Sequence, residues 1–124
     1  MKSQYEKKRL ITFDRIKIKS NYKYLLNTKV KFNEMFHSRS GEKIGIFYSS
    51  KDDINIPYNL YIAVSYIKQT LTLEFSSKIL KEKYPDLISR DTIKECLTNI
   101  NQLHICDIDV DSILSNGARS EERR

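Results

Sequence analysis

The chain has 124 residues, 40% of them hydrophobic, with eight Tyr and five Phe. That length makes one domain able to bury roughly two-thirds of its unfolded surface without staples, and the composition excludes a wholly disordered chain. No apolar run approaches the ~20 residues a membrane-spanning helix needs, and a formal charge of +6 suits a polyanionic partner.

The charge is unevenly placed. Residues 1–40 hold eleven Lys or Arg against Glu6, Asp14 and Glu34, a local charge of +8, whereas residues 41–124 sum to −2. Residues 1–9 are polar and basic and are expected to form a flexible arm. No signal-peptide core follows, because ITFDRIKIK is interrupted by charge, so a cytoplasmic protein is expected.

The run LITFDRIKIKS opens the predicted domain, residues 10–114, as its first strand. Ile16 and Ile18 alternate there with Arg15, Lys17 and Lys19. NYKYLLNT is expected to continue extended, with Tyr22, Tyr24 and Leu26 on one face. KVKFNEMF alternates Lys29 and Lys31 with Val30 and Phe32, and a turn at 38–41 leads into EKIGIFYSS. Residues 29–50 therefore read as a hairpin, followed by a polar loop over 51–58. A second hairpin pairs NLYIAVSYI with TLTLEFS through a short connection at Lys68-Gln69, both halves rich in β-branched and aromatic residues.

Helical signals follow. Ser76 or Ser77 can cap SSKILKEKY, which must end before Pro85. Ser89 can cap a longer helix in which Ile93, Cys96, Leu97, Ile100 and either Leu103 or His104 form one apolar stripe. ICDIDVDSI returns to period two and predicts a strand rejoining the sheet, with Cys106, Ile108 and Val110 on one face and Asp107, Asp109 and Asp111 on the other. Residues 115–124 show no period and are expected to be a disordered tail. The fold class expected is α+β: an antiparallel sheet of about five strands, two hairpins plus a returning strand, with two helices on one face.

If strand one and the Lys29/Lys31 strand lie together, Arg15, Lys17, Lys19, Lys29 and Lys31 form a positive sheet face. Lys23 then sits at its edge, and Tyr22 and Tyr24 lie beside it to stack on bases. Such a surface suits DNA or RNA phosphates. The competing interpretation is a solvated face kept soluble by lysines.

Other constellations carry less. Three carboxylates at ~7 Å intervals along a strand are too far apart to hold one ion, so Asp107, Asp109 and Asp111 are expected to be solvated. His37 and His104 belong to no HxH or HxxxH pair. Cys96 and Cys106 fall on predicted core faces, which favours buried thiols in a reducing compartment, although their spacing also permits a disulfide. Only three glycines are present, and no phosphate-binding Gly-rich loop is among them. No catalytic residue, metal site or cofactor is therefore expected.

The stretches FDRIKIKSNYKYLLN, LTLEFSSKILKEKYPDLISRDTIKECLTNINQL and DIDVDSIL give the chain a resemblance to the N-terminal part of phage- and plasmid-type rolling-circle replication initiators of Bacteroidota mobile elements. The likeness covers most of residues 10–114 through diffuse, structural motifs. It implies an extended first strand and a helix-plus-strand unit leading towards a catalytic sheet. Such initiators cut DNA with a histidine-hydrophobic-histidine metal site and a tyrosine nucleophile. This sequence has no such pair, and it stops where the family continues, which suggests truncation, so no catalytic residue is carried over. Two functions are weighed. One is a non-catalytic nucleic-acid-binding domain of a mobile element. The other is a small inhibitor of anti-CRISPR type that binds a host ribonucleoprotein, such as an RNA-guided nuclease, or its guide RNA. A nickase or nuclease is a remote third. No membrane partner is expected, and the oligomeric state is open.

Overall fold

The computed structural model describes residues 14–52, 56, 58–80, 87–89 and 91–115, together with the backbone of 119–123. Its spine is an antiparallel sheet in the order β3-β4-β5-β6-β1, extended at the β1 edge by β8. The strands are β1 (Arg15–Asn21), β3 (Asn33–Phe36), β4 (Lys43–Ser49), β5 (Leu60–Ser65), β6 (Thr70–Ser76) and β8 (Arg119–Arg123). A separate ribbon pairs β2 (Leu25–Thr28) with β7 (Cys106–Ile108). Two helices complete the fold, α1 (Ile93–Gln102) and α2 (Val110–Ser115). The expected α+β class and both hairpins are present.

Register explains why the sheet has one buried face. Ile16 pairs with Phe75 and Ile18 with Leu73, while Leu60, Ile62 and Val64 pair with Phe75, Leu73 and Leu71. All eight are buried, since period-two alternation sends every apolar residue of three adjacent strands to the same side. Tyr48 and Phe32 extend this face towards β3, their ring centroids 5.8 Å apart. Covering it are Ile79 and Leu80 of a helical turn at 77–80, Cys96, Leu97 and Ile100 of α1, Cys106 and Ile108 of β7, and Ile113 of α2, all in one core cluster. Asn99 is buried among them and satisfies itself by donating from Nδ2 to the Ile79 carbonyl at 2.8 Å. No helix among the described residues is long and apolar enough to cross a membrane.

The helix stripe stands as expected, and Ser89 organises its start. Its hydroxyl accepts from Asp91 N–H at 3.1 Å, while Thr92 Oγ1 accepts from Ser89 N–H at 2.9 Å; these bonds shape the turn before the helix, whose N-cap is Thr92 rather than the expected Ser89, with no side-chain cap bond. Both cysteines are free and fully buried.

Five expectations need correction. NYKYLLNT is not extended throughout: Tyr22–Tyr24 form a 3-10 turn that packs both tyrosines against the core, and a strand resumes only at Leu25, with Leu26 exposed. The 106–110 segment does not rejoin the main sheet. It pairs with β2 instead, and it ends as a strand at Ile108 because Asp109 caps α2: Oδ1 accepts from Ser112 N–H at 3.2 Å and Oδ2 from its hydroxyl at 2.7 Å. A capping aspartate therefore ends the alternation, and the acidic triplet never lines one strand face. Residues 119–123, expected as part of a disordered tail, pair antiparallel with β1 from Arg15↔Arg123 to Lys19↔Arg119, because β1 otherwise offers an open ladder edge. The β5–β6 connection is four residues, 66–69, rather than two. Gln69 takes a left-handed φ of 56°, which leaves Tyr66 and Ile67 at the tip instead of in a strand. Finally, the segment bearing Lys29 and Lys31 is not a strand of the sheet, and β3 begins only at Asn33. The predicted arm lies outside the described residues, as do positions 81–84 of the SSKILKEKY helix.

Candidate nucleic-acid interface

The outer face of the sheet follows from the same alternation that built the core. Arg15, Lys17 and Lys19 occupy the outward positions of β1 because Ile16 and Ile18 take the inward ones. Across the ladder, Lys17 stands opposite Glu74, which stands opposite Tyr61. Lys19 stands opposite Thr72, then Ala63, then Phe47. Arg15 stands opposite Ser76. Lys17, Lys19, Glu74, Tyr61 and Phe47 are all half-exposed. The rings of Phe47 and Tyr61 lie 6.0 Å apart at 31°, a tilted pair on this face. At ~4.8 Å per strand, Tyr61 lies about 10 Å from the β1 cations and Phe47 about 14 Å.

These two aromatics are absent from the candidate site residues taken from the sequence. The signal was legible. Tyr61 lies between inward Leu60 and Ile62, and Phe47 lies between Ile46 and Tyr48, so alternation alone turns both outward.

Of the eight expected site residues, the fold brings together Arg15, Lys17 and Lys19. Tyr22, Lys23 and Tyr24 form a 3-10 turn directly after β1, opened by Asn21, whose Oδ1 accepts from Lys23 N–H at 2.8 Å. Both tyrosines pack against the core, and only Lys23 is exposed. Lys29 and Lys31 are not joined to the basic face. Lys29 belongs to the ribbon that covers the opposite side of the sheet, its N–H donating to the Ile105 carbonyl at 2.8 Å and its ammonium lying 3.5 Å from Asp107. Lys31 leads into β3, four strand spacings from β1, or about 19 Å. The charge concentration in the first third of the chain is real, but the fold splits it between the two faces and edges.

The remaining groups have local explanations. His37 Nδ1 accepts from the Arg39 and Ser40 N–H groups at 3.2 and 3.3 Å and closes the β3–β4 turn. His104 ends α1 in a left-handed conformation, φ 61°. Asp111 lies 3.9 Å from the Lys94 ammonium. Among the described residues no three His, Cys, Asp or Glu side chains gather in a way that could hold a metal. Burial pushes the Cys96 thiol up to about 12, with help from Glu95, and burial with the Asp107 charge does the same for Cys106, also to about 12. Neither is an activated nucleophile.

No protein-family model, curated protein or solved structure matches this chain.

Proposed function

We propose that this chain is a non-catalytic binding module for single-stranded nucleic acid, working in the cytoplasm, with the outer face of its sheet as the platform. One observation carries the proposal: Arg15, Lys17 and Lys19 share a face with Tyr61 and Phe47. Cations that meet phosphates and rings that stack on bases are the two elements a sequence-tolerant single-strand site needs. Each stacked base contributes about 1–3 kcal/mol. Glu74 sits between Lys17 and Tyr61 and opposes this attraction.

The test is fluorescence anisotropy with labelled deoxythymidine and uridine oligomers. Tyr61→Ala is expected to weaken binding at least about fivefold, the lower end of the stacking range. An unchanged affinity in both Tyr61→Ala and Phe47→Ala would remove the platform.

A second reading, docking on a host ribonucleoprotein, draws on a different surface. Phe36, Tyr66 and Ile67 are 54%, 40% and 68% exposed. They gather at one end of the sheet, where Tyr66 N–H donates to the Ile44 carbonyl and Phe36 pairs with Lys43. Such an inhibitor depends on Ile67 and little on salt, so Ile67→Asp separates the two readings: nucleic-acid affinity is expected to survive it.

A further inference from the structure

We infer that the cleft at the far end of the sheet is a phosphomonoester site, which takes the terminal phosphate of a strand lying on the β1 face. The inference deepens the reading of the sheet as a nucleic-acid platform and rests on it for its choice of strand end over free phosphate.

The cleft encloses about 440 Å³, large enough for a nucleotide, and lies where β4 leaves the sheet, β5 begins and β6 ends. Two cations line it, Lys51 and Lys78, both exposed at their tips. Among the described residues neither ammonium lies within ion-pairing distance of a carboxylate. A dianion is the chemistry such a pair of ammonium groups complements.

The polar lining fits the same ligand. Ser76 borders the cleft, and its Oγ is the one buried side-chain polar atom without a hydrogen-bond partner among the described residues. An unmatched buried hydroxyl is unfavourable, and an acceptor oxygen brought to it would offset that cost. Tyr58 supplies a phenol that burial keeps protonated, hence a donor, and with Ile56 it forms the apolar wall. Ser50 is already committed. Its hydroxyl donates to the Tyr58 carbonyl at 2.8 Å and accepts from Leu60 N–H at 2.9 Å, which holds the wall in place.

Continuity with the sheet gives the site its direction. Ser76 is the cross-strand partner of Arg15, so the row Lys19, Lys17, Arg15, with steps of ~6.7 Å, runs along β1 to the lip of the cleft. A strand tracking those cations ends where two more are waiting.

The experiment uses the full chain and three oligothymidines of equal length, with a 5′-phosphate, a 3′-phosphate or neither, alongside inorganic phosphate titrated calorimetrically. One of the phosphorylated strands is expected to bind about tenfold more tightly than the unphosphorylated one. Lys51→Gln with Lys78→Gln is expected to abolish that difference while leaving the unphosphorylated strand's affinity unchanged. Equal binding of all three strands, without saturable binding of inorganic phosphate, overturns the inference while the sheet platform stands. Phosphate binding that is lost in the double variant, with no strand bound at all, upholds the cleft and overturns the platform. Strand preference that persists in the double variant also overturns the inference, since the discriminating cations would then lie elsewhere.

Discussion

Replacing Lys17 and Lys19 together by Gln tests the positive face most directly, because the structure assigns a number to the outcome. Three cations, Arg15, Lys17 and Lys19, line the outward side of β1. Single-strand binding that neutralises about three phosphates follows salt with a log–log slope of about −2, at ~0.7 per phosphate. Between 50 and 200 mM salt, affinity then falls about 20-fold. The double variant keeps one of the three contacts, so its slope is expected to drop to about −0.7 and the loss over the same range to about threefold. The matched control is Lys29→Gln with Lys31→Gln, which removes the same charge from the same third of the sequence. Lys31 lies about 19 Å from β1, roughly two Debye lengths at physiological salt, and Lys29 faces Asp107 on the covered side. The control slope is expected to stay near −2. Anisotropy titrations at four or five salt concentrations give all three slopes. A slope that falls in the Lys29/Lys31 variant and holds in the Lys17/Lys19 variant would refute the assignment of face. Glu74→Gln supplies the opposite sign: removing the carboxylate beside Lys17 is expected to tighten binding.

Further expectations concern the fold that holds this face in place. Asn101 binds both backbone groups of Ile108, donating from Nδ2 to its carbonyl at 3.1 Å and accepting its N–H at Oδ1 at 2.8 Å. Asn101→Ala strands both groups and is expected to cost about 2–3 kcal/mol in urea denaturation. Gly45→Ala is expected to destabilise by about 2–3 kcal/mol, because a Cβ there would run into the Val64 carbonyl oxygen of the neighbouring strand and into Met35 Cε at 2.7 Å. The methionine can give way, whereas the carbonyl can move only by parting the β4–β5 ladder, and a variant as stable as the parent would contradict that register. The raised thiols set an alkaline limit. Their folded values of about 12 exceed the ordinary 9.0, so the folded chain holds two protons that the unfolded chain releases. Their contribution to stability is complete below pH ~9 and is lost between about 9 and 12, by up to ~1.4 kcal/mol per pH unit for each thiol. Denaturation midpoints across that window, with Cys96→Ala as the comparison, are expected to show the shallower fall in the variant.

Strand alternation and helical spacing carry local information, and what they imply survives folding. Ile16 and Ile18, Leu71 and Leu73, and Cys96, Leu97 and Ile100 are inward as their periods require, since a side chain's face follows from backbone geometry within a few residues. The outward turn of Tyr61 and Phe47 was available from the same rule. Which strands become neighbours is a different kind of information. Lys17 and Lys31 are 14 positions apart in the chain, yet Lys31 leads into β3, four strands from β1, because the β5–β6 hairpin inserts between β4 and β1. Cross-sheet order follows from the joint burial of Ile16, Phe75 and Leu60 in one core cluster with Cys96, Leu97 and Ile100, a grouping that no window of sequence contains. The end of β7 shows the same division at short range: DIDVD alternates well enough for a strand, yet Asp109 has a helix cap within reach, and the caps and core contacts of α2 prevail. Local periodicity thus determined which way each side chain points, and tertiary packing alone decided what stands next to it, because pairing energy is collected between residues far apart in the chain.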